Sequence, residues 1–471
     1  MEAFKALCSR VAKDFMTEWN EERTDYKNIL EVQKRAIIGY RKEVAYFKEK
    51  IRRLVQRYGA EGTFYPTWYT SLEDGIYHEN WGLAGAAEWF TAPYADSSSA
   101  KIIGDRIYFL EQGRMRLMPQ TMDSSRREQL VRAFLLLSPG ERMDKEFHEL
   151  YLLDGTRITV FRGDMVKGEQ DVIIFRRYTV PNYTFEEQAD RGTIPREAIP
   201  LFQTMVEAGF NVVFTGPVRS AKTTFLSTWQ RYEDPCLEGV MVETDPEIPL
   251  HKLMPGAPLV QILADGERLD GISKNLLRSD ADYLILAEAR DGIALETGIR
   301  MAGKGTRRMK MTFHLRDPQE FPYDAAWEIV KTRGGTLGET ARKVAGSFDY
   351  IFHFAQRPDL QQKKLRGIYQ VSLRRESGEI RVDPLCLYDF AEDRWRFRYL
   401  FDPEKQAIAR EGAPGSERKM EELLRALARQ FPMKDPEKGG TYGRTEDLPG
   451  SGSLVSAAVP LRSRADPLRT S

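Results

Sequence analysis

The spacing of apolar positions changes character twice along the chain. From 25 to 58 apolar residues recur every seven positions at Leu30, Ile37, Val44, Ile51 and Tyr58. Tyr40, Phe47 and Leu54 form a second stripe, with Gln33 as its polar exception. Such a seam predicts one long helix of coiled-coil type, opened by Asp25 and stopped by Gly59. If continuous, it spans about 51 Å at ~1.5 Å per residue. Residues 61–75, with Pro66 and several turn-formers, read as a linker.

Between 76 and 195 the rhythm shortens to two. Ile107 and Phe109 alternate with polar residues, a turn falls at Gln112–Gly113, and Met115 and Leu117 alternate again, which predicts a hairpin. Ser125-x-x-Glu128 has the form of a capping box for a helix carrying Leu130, Phe134 and Leu137. A second hairpin turns at Asp154–Gly155, and DVIIFRRY adds a strand. Hairpin, helix, hairpin and strand in that order predict a small α+β domain.

From about 196 onward, helical stretches alternate with short, wholly apolar runs. A helix over 197–208 ends near Gly209, and buried strands are expected at 211–215, 240–243, 283–287, 309–313 and 349–354. This is the pattern of a mostly parallel sheet covered by helices, and the fold class is α/β. Shorter strand candidates follow at 364–374, 385–388 and 395–400. Residues 432–471, rich in Pro, Gly and Ser, read as a disordered tail. The expected order is therefore a helical region (1–60), a linker (61–75), an α+β domain (76–195), an α/β domain (196–431) and the tail. There is no internal repeat.

Composition narrows the function. The 471 residues carry 70 Lys+Arg against 70 Asp+Glu, so the chain as a whole is not a basic coat for nucleic acid. The balance is local: from 27 to 57 ten Lys/Arg stand against three Glu, a surplus of +7. That face reads either as the solvated side of a helical hairpin or as a docking surface for an acidic partner or an anionic membrane. No run of about 18 residues is both apolar and uncharged, and the N-terminus lacks a signal-peptide core. Cys8, Cys236 and Cys386 are an odd number and far apart, which fits a reducing cytoplasm better than a disulfide framework. The five histidines show no metal-ligand spacing, which argues against zinc.

Candidate chemistry begins at NVVFTGPVRSAKTT (211–224). An apolar strand runs into Gly216, and Lys222-Thr223-Thr224 opens a helix. Backbone N–H groups at a helix N-terminus, with a cation beside them, suit a phosphate. Gly216, Ser220, Ala221, Lys222, Thr223 and Thr224 are the nucleotide-binding candidates. Lys222 would meet the β- and γ-phosphates and Thr223 a magnesium ion. The loop is degenerate, since Ala221 stands where glycine usually precedes the lysine. If that position needs positive φ, alanine there costs on the order of 1–2 kcal/mol. About sixty residues on, DADYLILAEAR (280–290) is a buried strand ending in Glu288 and Arg290. Between them VMVET leads into Glu243, Asp245 and Glu247, and MKMTFHLRDP ends a further strand at His314. Acids at the C-terminal ends of neighbouring parallel strands converge on one crevice, where an NTPase keeps its metal-linked and water-orienting carboxylates.

Taken together, four boxes in order (GPVRSAKTT, VETDPEI, LRSDADYLILAEAR and TFHLRDP) resemble the traffic ATPases of type II and type IV secretion, in the branch serving Tad/Flp pilus assembly and conjugative secretion. GERMD (140–144), LLDGTRITV and VIIFRRY resemble that family's N-terminal domain, so the likeness covers about 75–355. It implies a RecA-like ATPase domain, a ring-shaped homohexamer, ATP with Mg2+, and nucleotide held between the two domains. By the same resemblance Glu288 is the general base or water-orienting carboxylate. Glu243 and Glu247 position metal and water, His314 senses the γ-phosphate, and Arg142, Arg157 and Arg176 close on the phosphates. A membrane platform protein is the implied partner, with the motor peripheral at the cytoplasmic face of the membrane.

Five features depart from the family: Ala221 and Arg219 for glycines, Thr244 for Asp, Ala281 for proline, and Gly305-Thr306-Arg307-Arg308 in place of Gly-His-x-Gly. Because Lys222, Thr223, Glu243, Glu288, Arg290 and His314 are kept, the expectation is a divergent but active ATPase. The alternatives are a non-hydrolysing P-loop scaffold and a DNA-transfer ATPase of conjugation. Direct nucleic-acid binding is not expected, since no basic and aromatic single-strand platform stands outside the first helix.

Overall fold

The computed structural model describes residues 1–433 apart from 22–30, 33–34, 37–38, 136–144, 169, 178–181, 277, 279–280, 360 and 375. The expected tail from 434 onward lies outside the described residues. No helix among them is long and apolar enough to cross a membrane.

The N-terminal region is a cluster of helices, Glu2–Glu21, Arg41–Arg57 and Leu72–Asn80. Phe4, Leu7, Val11 and Phe15 of the first pack on Phe47, Ile51 and Leu54 of the second, with Tyr69, Ile76 and Trp81 closing the core. Phe47, Ile51 and Leu54 of the predicted seam pack here, but not in one continuous helix, and Asp25, Leu30 and Ile37 lie outside the described residues. Gly39 has φ +96° and Tyr40 is extended at φ −62°, ψ 121°, so the helix starts afresh at Arg41. A seven-residue apolar repeat is blind to a single αL glycine. The stretch 61–75, read as a linker, instead gives Tyr69 and Leu72 to this core, and Ser71 caps the helix that begins at Leu72.

Part of the basic surplus is answered within the cluster. Lys48 bonds Asp74 at 2.6 Å, Arg52 reaches Glu49 and Glu73, Arg53 reaches Glu49, and Lys50 and Arg57 reach Glu18. For the described part of this face the pairs support the solvated-hairpin reading, while Lys27 and Lys34 lie outside the described residues.

Next comes a six-stranded antiparallel sheet: β1 (Ser99–Ile103), β2 (Arg106–Glu111), β3 (Arg114–Thr121), β4 (Phe147–Tyr151), β5 (Arg157–Phe161) and β6 (Val172–Arg176), in the order β3-β2-β1-β6-β5-β4. Gln112 and Gly113, at φ +49° and +80°, make the two-residue hairpin turn between β2 and β3. Helix Ser124–Leu135 covers this sheet through Leu130 and Phe134. Its cap is Asp123, which accepts from the Arg126 amide at 2.8 Å, so Ser125 of the expected box is already the second residue of the helix. Asp outbids Ser because its carboxylate also meets the helix dipole.

The third body is a nine-stranded sheet: β7 (Val212–Thr215), β8 (Gly239–Glu243), β9 (Leu259–Leu263), β10 (Tyr283–Leu286), β11 (Lys310–Phe313), β12 (Tyr350–Gln356), β13 (Lys363–Arg374), β14 (Glu379–Asp389) and β15 (Arg394–Phe397). Its order is β15-β14-β13-β12-β7-β11-β10-β8-β9. From β12 to β9 every pairing is parallel, and β13–β15 extend the other side as an antiparallel meander. β7, β8, β10 and β11 are buried at every residue. Helices on the two faces bury two separate cores, one around Phe214, Phe225, Trp229 and Phe352, the other around Leu284, Leu286, Met311 and Phe321. The strand bearing the phosphate-type loop and the strand bearing Glu288 are not neighbours, because β11 lies between them.

Candidate active site

β7 ends at Thr215, and Gly216 turns the chain at φ +138°. A Cβ at 216 would overlap the Phe354 carbonyl of β12, so glycine is required by a close approach as well as by its dihedral. The loop then delivers Lys222 as the first residue of helix Lys222–Arg231. Ala221, its N-cap, sits at φ +79°, ψ 16°, and Arg219 at φ +63°. Both departures from glycine thus occupy left-handed backbone, which for an L-residue costs roughly 1–2 kcal/mol.

These residues line a cleft of about 700 Å³ between the loop, the C-terminal ends of β10 and β11, and the strand ends at the middle of the six-stranded sheet, at Ser98, Ser99 and Arg176. That is the size of a small-molecule site. It brings together Ser220, Ala221, Lys222, Thr223, Thr224, Glu247, Glu288, Arg290, His314 and Arg176. Gly216 lies beneath the loop rather than on the cleft wall. Seven cationic side chains line the cleft against two carboxylates, Glu247 and Glu288, so the cleft favours an anion.

At its centre runs a chain of polar contacts. Lys222 is buried, and its Nζ donates to the Pro217 carbonyl at 2.8 Å and faces His314 Nδ1 at 3.5 Å. The other ring nitrogen, Nε2, lies 3.3 Å from Glu288 Oε1, and Arg290 pairs with the same oxygen. An ammonium can only donate, so Nδ1 accepts and the hydrogen on Nε2 is given to Glu288. Burial pulls the Lys222 ammonium down to about 8, against the opposing pull of Glu288 and Glu247. Burial also works against an ionised Glu288, but hydrogen bonds from His314 and Arg290 outweigh it and hold its carboxyl below the usual range. The charged carboxylate is the form that can orient or accept a proton from water.

Ser220 is fully buried, and among the described residues its Oγ has no hydrogen-bond partner. An orphan hydroxyl on the cleft wall beside a lysine fits a phosphate oxygen. Among the described residues no three His, Cys, Asp or Glu side chains cluster as metal ligands. Magnesium is usually held by one or two side chains together with substrate phosphates and water, and Thr223 and Glu247 on the cleft wall fit that manner of binding.

Two expected residues stand elsewhere. Glu243 is turned inward, where its Oε1 accepts the amides of Glu247 at 3.2 Å and Ile248 at 3.0 Å and its Oε2 meets Gln261 Nε2 at 3.3 Å. It holds the turn that presents Glu247, and burial raises its carboxyl to about 7. Arg157 does not line the cleft. Its guanidinium spans Asp245, at 2.5 Å, and Glu149. Tyr151 donates to the same buried Asp245, so β4 and β5 are tied to the loop after β8. Arg142 lies outside the described residues.

The sequence reading did not single out the cleft residues Gln188, Arg191 and Lys363. They sit on a helix and a strand with no motif of their own, and only the packing of the elements shows them. One departure is explained by structure. Arg308 donates to the carbonyls of Val206 and Glu207, at 2.9 Å each, and to the buried Glu233, so it closes the end of helix Ile199–Glu207 instead of serving the cleft.

Fold and site together are those of a P-loop α/β domain of RecA-like type, preceded by an α+β sheet and helices. No family model and no curated protein matches the chain. Among solved structures the chain is similar to the VirB11 ATPase of the Brucella suis type IV secretion system in complex with sulphate, at 16% identity and TM-score 0.33, over 60% of this chain and 94% of that one. It is similar to the Legionella pneumophila ATPase DotB at 15% identity and TM-score 0.43, over 78% and 90%. It is also similar to the pilus retraction motor PilT with bound ADP at 13% and 0.43, over 74% and 96%.

Proposed function

We propose that the protein hydrolyses ATP as a traffic ATPase of type II/type IV secretion or pilus assembly. The observation that carries the reading is the convergence of Lys222, His314 and Glu288 with Arg176 of the other sheet on one cleft. Bound ATP with magnesium supplies the phosphoryl group and the charge that polarises it. Lys222 neutralises phosphate charge, Thr223 and Glu247 hold the ion, and Glu288 orients the attacking water. His314 keeps Glu288 ionised and aimed, and Arg290 supports the same carboxylate. Arg176 is the cation that approaches from the second sheet.

Movement of the two sheets relative to one another would convert this chemistry into work, as a hinge-type switch. A homohexamer, a membrane platform protein and attachment at the cytoplasmic face of a membrane belong to this proposal. The test is phosphate release by the purified chain, with its mass measured by light scattering. Lys222→Ala should lose release, and Glu288→Gln should bind ATP without turning it over. Parent-like hydrolysis by both variants would mean that the site is assigned wrongly.

A second reading, a scaffold that keeps the P-loop form without hydrolysis, is favoured by the strained Ala221 and Arg219. A magnesium-dependent titration with fluorescent nucleotide separates the two, since the scaffold predicts no saturable binding.

A further inference from the structure

We infer that Arg219 is a specificity-determining residue of the cleft, a cation inside the phosphate loop that, with Arg176 opposite, favours a nucleoside triphosphate over a diphosphate. The inference rests on the nucleotide reading above and goes beyond it, because it assigns the preference to one side chain.

Three observations carry it. First, Arg219 pays a backbone cost in place. It holds φ +63° in a loop position where glycine would be free of strain. Residues kept in strained backbone cluster at ligand sites, and the inference runs from the observed outlier to a function.

Second, the side chain lies on the cleft wall with Arg176 of β6 and Lys363 of β13. Three elements far apart in sequence therefore bring like charge to one place. Third, among the described residues neither Arg219 nor Arg176, both exposed, has a carboxylate or hydrogen-bond partner, unlike Arg308, whose guanidinium is held by two carbonyls and Glu233. Partial desolvation at the cleft wall, and then repulsion from Arg176, make the Arg219 guanidinium harder to keep charged. Two guanidinium groups on one cleft gain most from the ligand with the most negative charge, and charge-assisted pairs with phosphate are strong. A diphosphate offers less of that charge, so the pair discriminates by charge number.

The experiment uses the full chain, magnesium, and fluorescent analogues of ATP and ADP, with binding read by titration. The parent should prefer the triphosphate. Arg219→Gly should lose about tenfold in triphosphate affinity, the size of one charge-assisted contact, and no more than about threefold for the diphosphate. Its melting temperature should equal or exceed the parent's, because glycine relieves the backbone, so misfolding cannot mimic the loss. Arg219→Gln, which keeps length without charge, should reproduce the loss. An unchanged triphosphate-to-diphosphate ratio in both variants, or an equal loss for both nucleotides, overturns the inference and leaves the nucleotide site standing. If the parent binds neither nucleotide and Lys222→Ala behaves identically, the nucleotide reading falls and this inference with it.

Discussion

His314 Nε2 lies 3.3 Å from Glu288 Oε1, at the ends of adjacent parallel strands β11 and β10. The imidazole is thereby a spacer between the acid and Lys222 on its far side. His314→Ala removes one of the two groups that hold Glu288 ionised. Turnover should fall by about 10- to 100-fold, the range for loss of a supporting contact, while nucleotide affinity changes much less. A comparable loss in affinity and turnover would place His314 in binding alone. Steady-state hydrolysis beside equilibrium titration reads the split.

Glu243 and Glu288 are both acids at strand ends, yet only Glu288 lines the cleft of Lys222. Glu243→Gln keeps an acceptor for the amides of Glu247 and Ile248. It should retain hydrolysis within about threefold, whereas Glu288→Gln stops it; neutral-for-neutral replacement of a structural acceptor costs little. The folded Glu243 carboxyl, raised to about 7, binds a proton that the unfolded chain has already lost. Its contribution to stability is therefore full below the unfolded value near 4.5 and is lost as pH rises through about 7. In urea unfolding across pH 5 to 8, the parent should lose stability relative to Glu243→Gln as pH rises; a parent that keeps pace with the variant or gains on it would show that the carboxyl is not raised.

Ala221→Gly should stabilise the chain. Relief of left-handed strain is worth about 1–2 kcal/mol, and the added freedom of glycine in the unfolded chain takes back about 0.4–1 kcal/mol. A net gain of about 0.5–1 kcal/mol follows from the difference between these figures, readable as a higher denaturant midpoint at constant slope. A lower midpoint would show that Ala221 is not strained.

Arg157 holds a buried carboxylate, Asp245, across two sheets. Arg157→Ala should cost on the order of 3 kcal/mol, because it strands that charge. Since Arg157 does not line the cleft, nucleotide affinity of the folded variant should move less than about threefold. A large drop in affinity without loss of stability would return Arg157 to the phosphate-binding set.

Lys222, pulled down to about 8, loses its charge earlier than an exposed lysine. Nucleotide affinity should fall as pH rises through about 8, by up to tenfold per unit where one proton is taken up on binding. Titrations between pH 7 and 9.5 test this, and a flat profile would show that the ammonium does not meet the ligand.

Much of the architecture is legible in the chain because its strands are buried on both faces. VVF, MV and YLIL are unbroken apolar runs, and each lies on an interior strand of the parallel sheet. β9 escapes the same reading because it is an edge strand, half-exposed, with Gln261 turned back to Glu243 and the carbonyl of Ile248. The break at Gly39 is hidden by a repeat that continues through it. In the site, motif order finds which acids end strands but not which way each side chain turns. Glu243 and Arg157 turn away from the Lys222 cleft for that reason: their partners, two amides in one case and Asp245 in the other, are set by packing alone.

β11 separates the loop strand from the strand of Glu288. Adjacent strands lie about 4.8 Å apart, so the loop and the acid are held roughly 10 Å from one another by two rows of backbone hydrogen bonds. The sheet is the ruler of the cleft. Side chains can vary on either wall, as Ala221 and Arg219 do, without altering the gauge, and only a slip of strand pairing would change the length of the object that fits.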